Sequence, residues 1–168
     1  FIAENGIKFN DFYSVSSVCT PSRAGMLTGR MPQRFGLNGV LFPDSHTGMP
    51  PSEYTIAELL KDNGYYTGII GKWHLGHKHD FLPLQQGFDF FFGIPYSNDM
   101  ASTAYFNGND VIDYFPVQKV MTNRLTQEAI SFIESNKKNK FYLYLAHPMP
   151  HVPIYASNNF IGSSNRGL

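Results

Sequence analysis

Apolar residues fall into short runs separated by polar, glycine-rich and proline-rich stretches, and the period within each run predicts its form. Leu125, Ala129, Phe132 and Ile133 recur at i, i+4, i+7 and i+8, which predicts an amphipathic helix from about Val120 to Asn136. Tyr65 to Ile70 and Phe141 to Ala146 are continuous apolar runs and are expected to be buried strands. Ile7 to Val18, with Phe9, Phe12, Tyr13 and Val15, is rich in β-forming residues and predicts extended chain leading to Cys19. Helical signals follow at once: Thr20 can cap, Pro21 suits the first helical position, and Ala24, Met26 and Leu27 continue a short helix that Gly29 would end. Thr55 and Glu58 make a capping box before Ile56, Leu59 and Leu60, and Gly64 is a natural stop. Phe81 to Tyr114 is aromatic and aperiodic, so loops packed over the domain are expected there.

Helices alternating with short apolar strands imply an α/β domain, with a mostly parallel sheet covered by helices on both faces. In such sheets ligands bind beyond the carboxyl ends of the strands. Cys19, Lys72, His74 and His151 all follow predicted strands, so one shared site is expected.

Composition changes this picture in one respect. The 168 residues suffice for a core, but charged residues are only 15%, against about 25% in ordinary soluble domains. Part of the surface is therefore expected to be covered, either by more of the same globule or in a homo-oligomer of the parent protein. The lack of an initiator Met favours the first expectation.

Net charge is zero and no basic run exceeds Lys137 and Lys138, which argues against nucleic acid as a partner. No apolar run approaches the roughly 20 residues of a membrane span. A single cysteine excludes an internal disulfide.

The chemistry concentrates in Cys19-Thr20-Pro21-Ser22-Arg23 and Leu27-Thr28-Gly29-Arg30. A thiol beside a helix amino-terminus, with a guanidinium one turn on, describes a nucleophile next to an oxyanion pocket. Read without its neighbours, a lone cysteine is a small buried hydrophobe. Gly71-Lys72-Trp73-His74-Leu75-Gly76 adds an ammonium and an imidazole at a strand end, each of which could equally be structural.

These residues resemble the two signatures of the type I, formylglycine-dependent sulfatases, in the family's order and spacing. Asp11-Phe12-Tyr13, Gly87-Phe88-Asp89, Gly93-Ile94-Pro95-Tyr96-Ser97 and His151-Val152-Pro153 extend the resemblance along nearly the whole chain. Within the family the chain looks most like the arylsulfatase A and N-acetylgalactosamine-6-sulfatase branch, particularly at Ile94 to Asp99 and Tyr155-Ala156-Ser157.

The resemblance implies the alkaline phosphatase/sulfatase-like fold and a sulfuric ester hydrolase. Cys19 would be oxidised by a formylglycine-generating maturation enzyme, and the hydrated aldehyde would attack the sulfur of a sulfate ester. Arg23 would orient the hydrate and Lys72 would bridge it to a sulfate oxygen. His151 would contact sulfate and protonate the departing alcohol, and His74 would take the proton that regenerates the aldehyde. Ser97 would contact substrate.

The resemblance also implies a metal, Ca2+ or alternatively Mg2+, held by formylglycine 19 and by acidic and Asp-Asn ligands outside this chain. Residues 1–168 are thus expected to be part of one sulfatase catalytic domain, lacking its first strand and its carboxyl-terminal portion, and inactive when isolated. The secretory route, lysosomal or extracellular, or the periplasm is the expected location. His77, His79 and Asp80 are read as a solvated loop and His147 has no family role.

Two other readings start from the same residues. A phosphatase-type relative in the same superfamily would use an unmodified nucleophile, whereas Cys-x-Pro-Ser-Arg also serves maturation. A non-catalytic sulfatase-like binding protein would keep the pocket without the modification.

Overall fold

Ile69 and Ile70 are adjacent and both fully buried, yet they belong to different cores. This is the period of a strand, whose successive side chains point to opposite faces. The strand is β1 (Tyr66–Lys72), and the same alternation holds for Phe91 and Phe92 on β2 (Phe90–Ile94). A sheet apolar on both faces must be covered on both. The computed structural model, which describes residues 1–100, 103–114 and 116–167, shows how.

On one face lies α4 (Gln118–Asn136), whose Met121, Leu125, Ala129 and Phe132 pack with Ile70, Phe92 and Ile94. Gly68 in the middle of β1 makes this packing possible. A Cβ there would stand 2.5 Å from the Phe132 ring, so only a bare strand lets the ring lie close to the sheet. Ile133, the fourth residue of the predicted stripe, is instead 39% exposed at its margin.

On the other face α2 (Cys19–Thr28) and α3 (Ile56–Asp62) contribute Ala24, Leu27 and Ala57 to a core with Ile69, Trp73 and Phe91. α1 (Ile2–Asn5) buries no residue. Gly29 closes α2 in the left-handed conformation, φ 65°, and the Thr55–Glu58 capping box opens α3.

The sheet runs β4-β3-β2-β1-β5, with β3 (Tyr105–Asn107), β4 (Asp110–Asp113) and β5 (Phe141–Ala146). β1 is parallel to β2 and β5, while β3 is antiparallel to β2 and to β4. The expected α/β class with helices on both faces is thus what forms, with an antiparallel hairpin added to a parallel centre.

Two local expectations are corrected. Phe81 to Tyr114 contains three strands, because Phe90–Ile94 is a short apolar run buried in the sheet and Gly108, φ 60°, closes a two-residue hairpin between Asn107 and Asp110. Ile7 to Val18, by contrast, forms no strand, and Phe9, Phe12 and Tyr13 are 66%, 79% and 82% exposed. β-forming composition reports fitness for a pleated, half-buried surface, and this segment has no ladder partner here.

Candidate active site

Four chain segments converge beyond the carboxyl ends of β1, β2 and β5. Cys19 is the first residue of α2, whose amino-terminus has no side-chain cap, so the first amides of the helix are left for an anion or water. Lys72 ends β1. Ser97 follows β2, and His151 follows β5.

β1 reaches this position by a close backbone approach. Gly71, φ 120°, pairs with Gly93 of β2, and a Cβ on Gly93 would lie 1.8 Å from the Gly71 carbonyl oxygen. No side chain fits at either residue, which explains the glycine of the Gly-Lys-Trp-His segment.

The Lys72 ammonium is the hub. Its Nζ lies 3.4 Å from Cys19 Sγ and donates to Ser97 Oγ at 2.9 Å, with the side chain only 2% exposed. Burial holds this amine below its ordinary pKa, and neighbouring Cys19 pulls it back up.

Arg23, one helical turn after Cys19, donates to the Lys72 carbonyl at 2.5 Å and to the Tyr144 hydroxyl at 3.3 Å. It therefore fixes the β1 terminus to α2 as well as supplying positive charge. His151 Nδ1 lies 3.4 Å from Ser97 Oγ and 3.8 Å from Asp99 Oδ1, and donates to the Val152 carbonyl at 2.7 Å. Burial pushes the Asp99 carboxyl up, but hydrogen bonding from Ser97 and the charges of His151 and Lys72 bring it below the ordinary value.

His74 sits two residues beyond Lys72 and is fully buried. Burial, reinforced by the charge of Lys72, pushes its imidazole down to about 4, so it is neutral at physiological pH. Its Nε2 bonds the Leu41 carbonyl at 2.8 Å, and its ring packs edge-on against Tyr96 with centroids 5.5 Å apart.

Cys19, Arg23, Lys72 and His151 all line one cleft of about 370 Å³, enough for a sulfate-sized group and part of what carries it. Ser97 bonds into it through Lys72, and His74 lies behind it. A larger cavity of about 740 Å³ between α4 and residues 155–160 contains none of these residues.

All six residues singled out from the sequence are thus in or against one site. Tyr144 and Leu41 complete it without any motif to mark them, because they act through a phenol and a main-chain carbonyl, and Thr20, inside the cysteine motif, turns its hydroxyl to His74 and Leu41 instead of capping α2. His79 and Asp80 are exposed, as expected of a solvated loop, whereas half-buried His77 bonds the Tyr96 hydroxyl at 2.6 Å. Half-buried His147 has a buried Nδ1 with no protein partner among the described residues.

A cleft beyond parallel strands, with a thiol at a helix start and a lysine and a histidine on its wall, is suited to holding an oxyanion. The chain belongs to the sulfatase family, whose model matches residues 1–167. It is 37% identical to mouse N-acetylgalactosamine-6-sulfatase, over 99% of this chain and 37% of that protein. Bovine arylsulfatase A is 38% identical over 99% of this chain and 38% of its own length. The fold is shared with a solved Bacteroides thetaiotaomicron chain described in the metabolism of multiple glycosaminoglycans, at TM-score 0.82 and 24% identity, covering 90% of this chain and 45% of that one. The chain therefore spans less than half the length of these relatives.

Sulfatases generally use formylglycine and a divalent metal. Position 19 suits the first: it is half-buried, opens on the cleft and has an ammonium beside it. For the second, no group of three or more His, Cys, Asp or Glu among the described residues is arranged to hold a metal ion. These residues do not form a Ca2+ or Mg2+ site by themselves. No helix of the described residues is long and apolar enough to cross a membrane.

Proposed function

We propose that the protein hydrolyses sulfate esters, releasing an alcohol and sulfate, with residue 19 converted from cysteine to formylglycine by a maturation enzyme. When formed, the hydrated aldehyde supplies the nucleophilic oxygen. The observation that carries this reading is the single ammonium of Lys72, which touches both residue 19 and Ser97 on the wall of an anion-sized cleft.

Lys72 binds a sulfate oxygen and stabilises the negative charge that grows during transfer, at the point where burial makes its charge most effective. Ser97 accepts from Lys72 and steers it toward substrate. Arg23 holds residue 19 and the end of β1 in register through the Lys72 carbonyl. His151, on the far side of Ser97, gives a proton to the departing alcohol oxygen. His74, neutral and buried, accepts the proton from the hydroxyl at position 19 that ends the cycle.

The resemblance to N-acetylgalactosamine-6-sulfatase and arylsulfatase A supports an aryl sulfate or a sugar sulfate as substrate. It also supports a location on the secretory route or in the periplasm, where the maturation enzyme would be the partner.

The test is hydrolysis of 4-nitrophenyl sulfate by full-length protein co-expressed with a formylglycine-generating enzyme. Turnover that disappears in Cys19→Ala supports the proposal. Equal turnover of the phosphate analogue with Cys19 unmodified would favour a phosphatase, and sulfate binding without turnover would favour a binding protein.

A further inference from the structure

Thr20, immediately after the reactive position, is fully buried and touches the cleft with no atom of its own side chain. Its hydroxyl lies 2.9 Å from the His74 carbonyl oxygen and 3.1 Å from the Leu41 amide nitrogen. A carbonyl only accepts and an amide only donates, so the direction of both bonds is settled: Leu41 N–H gives to Thr20 Oγ1, and Thr20 O–H gives to His74.

The Leu41 carbonyl, likewise only an acceptor, lies 2.8 Å from His74 Nε2. Nε2 therefore carries the hydrogen. The three bonds close a ring that joins the start of α2, the loop at Leu41 and His74, two residues beyond the end of β1.

His74 Nδ1 is then the bare nitrogen, and it is buried with no protein partner in the structure. A fully buried imidazole nitrogen left without a partner is uncommon, and its lone pair is available to a proton. His74 is also the sole non-glycine residue with positive φ among the described residues, at 61°. Such a backbone persists only where the surroundings over-determine it. The Thr20 hydroxyl on its carbonyl and the Pro95 carbonyl on its amide, at 3.0 Å, supply that constraint.

We propose that Thr20 is a positioning residue for His74: by tying the Leu41 amide to the His74 carbonyl it holds the imidazole with Nε2 protonated and Nδ1 free to accept the proton of turnover. The bland alternative is that these bonds only hold the fold together. The proposal rests on the reading of His74 as a base in ester hydrolysis, but its structural part is measurable without activity. The pKa near 4, set by burial and by the charge of Lys72, agrees with a ring that carries a single proton at rest.

The experiment compares full-length wild type, Thr20→Ser and Thr20→Val, each with its formylglycine content determined by mass spectrometry so that rates refer to converted enzyme. Thr20→Val is expected to lower kcat by about 10- to 100-fold with KM within about twofold, and Thr20→Ser to restore most of it, the scale on which partners that orient a reactive imidazole act. Equal kcat in wild type and Thr20→Val would overturn the proposal. Nitrogen NMR of histidine-labelled wild type should show His74 protonated at Nε2 and bare at Nδ1 at neutral pH; the opposite tautomer or a doubly protonated ring overturns the proposal even if Thr20→Val does not fold. If wild type shows the expected tautomer but no turnover of any sulfate ester, the functional reading fails and the ring is structural.

Discussion

Lys72 Nζ lies 2.9 Å from Ser97 Oγ, and this bond joins the two central parallel strands at their carboxyl ends, since Lys72 ends β1 and Ser97 follows β2. The ammonium is nearly all buried, and no carboxylate among the described residues forms an ion pair with it. A buried charge without a counter-charge is costly to fold, so its presence is explained by what it is kept to bind.

The first prediction separates these two effects. Lys72→Met should lower kcat/KM for a sulfate ester by about 100- to 1000-fold, the scale of losing one preorganised donor to developing charge. Because it removes a desolvated ammonium and keeps its volume, thermal unfolding should occur at the same or a higher temperature. A calorimetric scan showing strong destabilisation would mean that Lys72 is structural.

Arg23→Lys tests the role of the guanidinium. Lysine keeps the charge but cannot span the Lys72 carbonyl and Tyr144 hydroxyl from one planar group. Activity of converted enzyme is expected to fall by about 100-fold, while Tyr144→Phe, which leaves the carbonyl bond intact, should cost less than about tenfold.

Gly93→Ala should fail to fold stably. The added methyl would meet the Gly71 backbone at 1.8 Å, where no side chain can move aside. A loss above about 3 kcal/mol is expected, measured by denaturant unfolding of the full-length protein. Gly36→Ala, with φ 86° and no atom within 4 Å of the new methyl, should cost only the conformational strain of about 1 kcal/mol.

His74 gives a pH dependence of stability with a definite sign. Its folded pKa, about 4, lies below the ordinary 6.5, so between these values the unfolded chain binds more protons and stability rises with pH. The contribution is complete above about pH 6.5 and is lost as pH falls through about 4, amounting to about 3 kcal/mol. In His74→Asn this part of the acid-side loss should be missing from unfolding curves taken between pH 7 and 4.

How much of this was legible in the sequence follows from which interactions have a local signature. α4, β5 and the capping box of α3 are legible because stripe, apolar run and cap lie within a few residues of one another. β2 is not legible because Phe90-Phe91-Phe92-Gly93-Ile94 sits among aperiodic neighbours, and its pairing with β1 has no local signature. Ile7 to Val18 shows the converse, strand composition without a ladder partner among the described residues.

In the site, Cys19, Arg23, Lys72, His74, Ser97 and His151 could be named because their motifs resemble a family. That Lys72 bonds Ser97, or that Leu41 sets the tautomer of His74, depends on contacts 25 and 33 residues apart along the chain. No periodicity reports such contacts. The resemblance also carried metal ligation at position 19, which nothing among the described residues completes.

The most direct test of the central claim is mass spectrometry of the peptide containing residue 19, from full-length protein co-expressed with a formylglycine-generating enzyme. Loss of the thiol, the mass of the aldehyde and reaction with a hydrazide probe are the predicted result. An intact cysteine at position 19, under conditions where a standard substrate of the same maturation enzyme is converted, would contradict the account.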